Sequence, residues 1–338
     1  MHMADALLSP AVGITMYAVS AGAIAYSTAK VKKDELGEKK VPIMAVTGAF
    51  VFAAQMINFT IPATGSSGHI GGGILLSSMI GGYPALLSLA AVLIIQCLFF
   101  ADGGLLALGC NIFNMGVIPC LIIYPLIFKP ILKRGISYKR ITVASIAATV
   151  IGLELGAFSV VLETLASGIT ELPFTTFVSL MLPIHLAIGL VEGIVTAAIV
   201  SYVWKIRPEI IESALRSRAI GKGVSMKKPI IVLLVAAALV GGALSIFASS
   251  NPDGLEWAIG KTTGTEELEA QGGIYDGASD IQNSTAFMPD YDYKTAGEDG
   301  SATGTSVAGI VGGTMTLILA GTTGLLISRI KKKKHSAV

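Results

Sequence analysis

The run LLSPAVGITMYAVSAGAIAYSTA, from Leu7 to Ala29, contains no charged side chain. As a helix rising about 1.5 Å per residue it reaches roughly 34 Å, enough to cross a hydrocarbon core of about 30 Å. A second charge-free run, IIVLLVAAALVGGALSIFASS, extends from Ile230 to Ser250. The rest of the 338-residue chain agrees, with 53% of its residues apolar and 14% charged, against about 25% charged in soluble domains. That deficit excludes an ordinary soluble enzyme and predicts an all-α polytopic membrane protein. A net charge of +2 is too small to suggest nucleic acid as a partner. Cys97, Cys110 and Cys120 stand in apolar runs without CxxC spacing, which reads as packing.

The charges set the expected topology. Basic residues gather in four short segments, Lys30 to Lys40, Lys129 to Arg140, Lys205 to Lys228 and Arg329 to Lys334, which together hold 22 of the 24 Lys and Arg. Basic loops stay inside, so all four segments are expected on the cytoplasmic side. Lys261 and Lys294 fall in a polar stretch, residues 251–306, that carries eleven of the 22 acidic residues and is expected outside. Parity then gives nine passes, N-out and C-in. Three of them fit between Gly73 and Lys129, with breaks at Gly81-Gly82-Tyr83-Pro84 and Ala101-Asp102-Gly103-Gly104. The first of the three is short or irregular, which a bilayer tolerates only where protein shields the backbone. The division is a seven-helix unit at 1–205, a basic cytoplasmic linker at 206–228 and a two-helix unit at 229–338 with the acidic outer loop 251–306. No internal repeat is visible. The first apolar run lacks a preceding basic region, so no signal-peptide cleavage is expected.

Of the four histidines, His2 and His69 fall on the outer face and His185 within a helix. His335 follows four lysines in the tail. His2 beside a free terminus can chelate through the Met1 amine, its own amide nitrogen and imidazole Nδ1, closing a five- and a six-membered ring. Three nitrogens in a plane with a second imidazole as the fourth match the square-planar preference of Ni(II) or Cu(II). His69, in Gly68-His69-Ile70-Gly71-Gly72-Gly73, is the candidate fourth ligand. The bland alternative is a loose terminal histidine and a loop histidine bonded to a carbonyl.

His185 and Glu192 lie seven apart on one expected helix, and Glu154 and Glu163 lie in or near the membrane. Ionisable groups there are costly and mark either an ion pathway or a polar cluster tying helices together; both readings stay open. Gly260-Lys261-Thr262 imitates the end of a phosphate loop, but Gly254 leaves five intervening residues where four are required. Without a nucleotide motif, any ATP-driven work needs another polypeptide. An intramembrane metallohydrolase is disfavoured by the absence of HExxH. A metal sensor signalling through the two-helix unit is the remaining alternative.

Several of these segments resemble one family. Met1-His2-Met3-Ala4-Asp5-Ala6-Leu7-Leu8-Ser9-Pro10 is similar to its opening, usually Met-His-Ile-Pro-Asp-Gly-Phe-Leu-Ser. Phe52-Ala53-Ala54-Gln55-Met56-Ile57-Asn58-Phe59 with Gly68-His69-Ile70-Gly71-Gly72 resembles a second signature. Ala101-Asp102-Gly103-Gly104 with Gly109-Cys110-Asn111-Ile112-Phe113-Asn114-Met115-Gly116 resembles a third. These are the marks of the NikM/CbiM substrate-binding (S) component of energy-coupling-factor transporters for nickel or cobalt. Asn251-Pro252-Asp253-Gly254-Leu255-Glu256-Trp257 resembles the PDGLE signature of the NikN/CbiN partner, here fused. The resemblance implies a non-catalytic, multi-pass component of the prokaryotic plasma (inner) membrane. It would capture Ni2+, or alternatively Co2+, as cargo, with no cofactor. A transmembrane coupling protein and two ATP-binding-cassette ATPases would drive release. It also supports Met1, His2 and His69 as ligands, while Asp5, Gln55, Asn58, Asn111 and Asn114 are candidates to orient them. The amide-containing square plane favours nickel, which stands above cobalt in the Irving–Williams order.

Overall fold

The computed structural model describes residues 1–31, 39–221, 223–266, 268–270, 272–294 and 302–336. Parts of the first basic segment and of the acidic loop, and the side chain of His335, lie outside the described residues. The described chain is helical apart from one hairpin, as the composition predicts. In order come α1 (Pro10–Lys30), α2 (Lys40–Gln55), the strands β1 (Phe59–Ile61) and β2 (Ser66–Gly68), α3 (Gly73–Ile80) and α4 (Gly82–Phe100). They are followed by α5 (Leu108–Lys133), α6 (Tyr138–Ser167), α7 (Phe174–Ile206), α8 (Pro208–Arg216) and α9 (Lys227–Gly242). The acidic stretch forms α10 (Gly254–Thr263) and α11 (Ile274–Thr285), before the last helix, α12 (Ala302–Ser336). Gly260, Lys261 and Thr262 thus sit in the body of a helix rather than in a phosphate loop.

Among the described residues six helices, α1, α4, α5, α6, α7 and α12, are long and apolar enough to cross a membrane. The protein is a multi-pass membrane protein. α2 and α9 have 16 residues each and α3 only eight, about 12 Å of rise for α3. Every residue of α3 is buried, so protein shields its backbone, as the broken pattern required. Gly81, at φ +91°, ends α3 and starts α4, a conformation that glycine adopts without a Cβ penalty. Within α5, the wider i→i+5 winding of Phe113–Phe128 accommodates Pro119 and Pro125, which bring no N–H to the helical ladder.

α2 is the hub. It packs against α3, α4, α9 and α12, and 14 of its 16 residues are buried, including Phe50, Val51 and Phe52. The two C-terminal helices, α9 and α12, cross where a Cβ on Gly241 would stand 3.1 Å from the Gly309 carbonyl carbon; small residues at a crossing let backbones approach. α6 and α7 form the other extensive helix pair. The three cysteines are buried and unbridged, as their apolar settings suggested.

Candidate metal centre

The first eight residues thread into the bundle. Met3, Leu7 and Leu8 are fully buried, because an apolar terminus gains more from the core than from water. Met3 N donates to Asn111 Oδ1 at 2.8 Å, while Met3 O accepts from Gly104 N at 2.8 Å and Asn111 Nδ2 at 3.3 Å. All three bonds use the Met3 backbone, so a methionine in place of the family's isoleucine leaves the seat intact. Asp5 accepts from Ala107 N at 2.9 Å and fastens the same segment to the loop before α5.

His69 follows β2. β1 and β2 pair antiparallel, with Phe59 opposite Gly68, and the hairpin sends residues 69–72 back into the bundle. Glu192 of α7 holds that return, accepting from Gly71 N at 2.7 Å and from Gly72 N at 2.9 Å. Gln55 donates to Gly71 O at 2.9 Å and accepts from Gln96 at 2.9 Å. Gly72 has φ +78°, and a Cβ there would stand 2.5 Å from Val51 Cγ1. Gly72→Ala is therefore expected to cost about 1–3 kcal/mol from backbone strain alone. A thermal melt of the purified protein checks this; an unchanged midpoint would show that the loop can shift without loss.

The Met1 amine meets His69 here. It donates to His69 Nε2 at 3.1 Å and pairs with the Asp253 carboxylate. His69 Nδ1 lies 3.1 Å from Ile70 O, which fixes the proton on Nδ1 and leaves the Nε2 lone pair facing the amine. The His2 ring stacks on that of His69, with centroids 5.1 Å apart and planes inclined 17°. His2 Nδ1 lies 3.1 Å from Asp102 Oδ1, and the other Asp102 oxygen accepts the Tyr291 hydroxyl. Burial, then the nearby amine charge, lowers the pKa of both His2 and His69 to about 3, so both rings are neutral at ordinary pH. Burial pushes Asp253 up, but the Met1 ammonium and His69 outweigh it and hold the carboxyl below its usual range. Asp102 is raised, mainly by burial.

The sequence-predicted ligands thus converge. Among the described residues no three His, Cys, Asp or Glu side chains gather around one point. The nitrogen groups brought together here are the Met1 amine and the two imidazoles. The five candidate orienting residues make their bonds to groups other than the Met1 amine and the two imidazoles. Asp5, Asn111 and Gln55 bond backbone, as above; Asn58 O accepts from Ser249 N at 2.7 Å; Asn114 donates to Glu163 Oε2 at 2.8 Å. The groups at the amine and at His2 are instead Asp253 and Asp102, missed as functional although both stand inside the quoted signatures.

Glu154, His185 and Glu192 do not form one hydrogen-bonded cluster. Seven residues put His185 and Glu192 on one stripe but about 10.5 Å apart along the axis. His185 Nδ1 turns to Met181 O of its own helix at 2.8 Å. Glu192 reaches the His69 loop, and Glu154 Oε1 has no hydrogen-bond partner among the described residues. The acidic stretch also proves to be built into the site. Pro252 O accepts from Ser67 N at 2.8 Å, Trp257 Nε1 donates to Thr64 O at 3.0 Å, and Asp253 caps α10 through Leu255 N and Glu256 N.

Comparison with known proteins agrees with this architecture. Residues 2–210 match the CbiM model, described as the cobalt uptake substrate-specific transmembrane region, and residues 227–329 match the PDGLE domain. A putative fused nickel transport protein NikMN of Archaeoglobus fulgidus is 33% identical over 94% of this chain and 96% of its own length. A putative cobalt transport protein CbiM of Methanocaldococcus jannaschii is 32% identical over 62% of this chain and 90% of its own. A crystal structure of a transition metal transporter, 30% identical, superposes with a TM-score of 0.54 over 63% of this chain and 96% of that one. The relatives are transport proteins rather than enzymes, and this chain, carrying a CbiM region and a PDGLE domain in one polypeptide, belongs to the CbiM family of nickel and cobalt transport components.

Proposed function

We propose that the protein captures Ni2+ on the outer face, as the substrate-specific component of an energy-coupling-factor transporter. The Met1 amine, the His2 amide and imidazole and the His69 imidazole form the square of ligands. The observation that carries this reading is the 3.1 Å between Met1 N and His69 Nε2. Neighbouring corners of a square with metal–nitrogen bonds of about 2 Å stand roughly 3 Å apart. On loading, the cation takes the place of the amine's proton, and His2 Nδ1 leaves Asp102 for the metal. The full-length relative of Archaeoglobus fulgidus is named for nickel, which accords with the amide-containing square plane. The units are the seven-helix region at 1–205, the linker at 206–228 and the two-helix unit at 229–338, oriented N-out and C-in by the basic segments. The test is metal content and titration of untagged protein. Nickel bound in preference to cobalt supports the reading, and failure to bind either metal sinks it.

The pH dependence follows from which groups must lose protons. His2 and His69, held neutral down to about 3, release none on binding near neutrality. The protonated amine and the His2 amide each release one, so affinity rises with pH and weakens as pH falls. Titrations at pH 6, 7 and 8 check this; an affinity flat across that range would mean that neither the amine nor the amide gives up a proton, and the N-terminal chelate would lose its support.

Release needs a coupling protein and two ATPases, and α1 is the proposed docking element. Its Ala21, Ala25 and Ala29, four residues apart, are exposed while Gly13, Ser20 and Ser27 face the core, and small residues permit close helix approach. Ala25→Leu is expected to cut cellular uptake several-fold while leaving nickel binding in detergent unchanged; normal uptake would place docking elsewhere.

A further inference from the structure

At the basic end of the bundle, far in sequence from the metal ligands, a cavity of about 580 Å³ opens between the end of α5, the end of α7 and the short helix α8. That volume lies within the range of small-molecule sites, roughly 300–1,000 Å³. Its lining brings together four cations, Lys129, Lys133, Arg216 and Arg218, and one carboxylate, Glu212. Among the described residues no carboxylate lies within ion-pairing distance of Lys133, Arg216 or Arg218. The site therefore carries a net excess of three positive charges, in a fixed frame. Leu132 and Leu215 on its wall are buried, so the cations stand over an apolar floor.

The frame is membrane-facing. Trp204, which also lines the cavity, sits in the last turns of α7 and packs edge-to-face on Tyr138 at 5.1 Å and 77°; such aromatics mark the headgroup level. α8 buries Ile210, Ile211, Ala214 and Leu215 against the bundle, with Arg216 exposed at its end. Before Lys129, α5 exposes Ile122 by 38% and Leu126 by 69%. An acyl chain could lie along those residues while its phosphate enters the cavity. A free anion would gain nothing from that apolar approach.

We propose that this cavity binds the phosphate headgroup of an anionic phospholipid, seating one such lipid between α5, α7 and α8. The guanidinium groups of Arg216 and Arg218 supply the forked donors that phosphate oxygens accept, and Lys133 adds a point charge. Basic pockets between membrane helices on the inner side recognise acidic headgroups in this way. The bound lipid would brace α8, which packs against α3 and α7.

The test uses the full chain in nanodiscs of phosphatidylcholine alone or mixed with phosphatidylglycerol, reading by native mass spectrometry which lipid stays bound after extraction. The variant Lys133→Gln/Arg216→Gln/Arg218→Gln changes side chains at the cavity edge that touch no metal ligand, and its nickel affinity reports folding. Lys205→Gln/Lys227→Gln/Lys228→Gln removes three exposed charges at the same end, outside the cavity lining. Wild type and the second variant should retain phosphatidylglycerol over phosphatidylcholine. The first variant should lose that preference by at least about tenfold, and excess inorganic phosphate should not displace the lipid. Equal retention by the two variants, no preference in the wild type, or displacement by phosphate would each overturn the proposal, the last by showing a free-anion site.

Discussion

Acetylation of the Met1 amine, or insertion of an alanine between Met1 and His2, is expected to lower nickel affinity at least about tenfold, as much as His69→Ala. Both changes keep every side chain of the protein, so they separate an N-terminal chelate from a site made of side chains. Acetylation removes the donor that lies 3.1 Å from His69 Nε2. The insertion carries the amine one residue away and replaces it with an amide, so the five-membered ring closes on the wrong atom. It also disturbs the contact with Asp253, so apo-protein melts should accompany the titration to separate loss of metal from loss of fold. Nickel bound normally by the acetylated protein would leave the chelate without support, and the cation would have to rest on His2, His69 and the two carboxylates.

Replacing Glu192 should have the next largest effect, although it touches no ligand atom. Its two oxygens accept the Gly71 and Gly72 amides at the turn that carries His69 into the bundle. Glu192→Ala leaves both donors unpaired, at about 1–3 kcal/mol each. Stability should fall by roughly 2–6 kcal/mol, and nickel affinity about tenfold or more once the loop no longer holds Nε2 against the amine. Glu192→Gln keeps one acceptor oxygen and should fall between the two. Melts of the apo-protein and nickel titrations on the same samples measure both terms. Wild-type affinity in Glu192→Ala would mean the hairpin and Gln55 suffice to hold His69.

Much of the architecture was legible in the chain because a bilayer imposes simple demands. Charge-free runs long enough to cross it, and basic segments between them, set the helices, and glycine breaks at Gly81 and Ala101–Gly104 set the interruptions. The proposed ligand set was legible for a chemical reason: a histidine in second position brings three nitrogens together through covalent bonds alone. His69 needed more, since nothing local says that residue 69 meets residue 1; only its outer-face placement and the resemblance joined them.

What the tertiary structure alone decided is the support around the ligands, because hydrogen-bond partners far apart in sequence leave no periodic trace. Asp253 lies 252 residues from the amine it holds, and Asp102 is brought to His2 by the turn after α4. His185 and Glu192 share a helical stripe, yet one bonds its own helix and the other the His69 loop, a choice made by what packs opposite. The acidic stretch read only as a polar outer loop. Its described part is tied to the rest of the chain because Pro252, Trp257 and Asp253 find partners on the hairpin and at the terminus. The sequence by itself therefore determined the helices and the proposed chelating atoms, through local covalent geometry and the cost of charge in lipid. The fold decided which carboxylates, amides and carbonyls fix those atoms in place, because only packing brings them within hydrogen-bond reach.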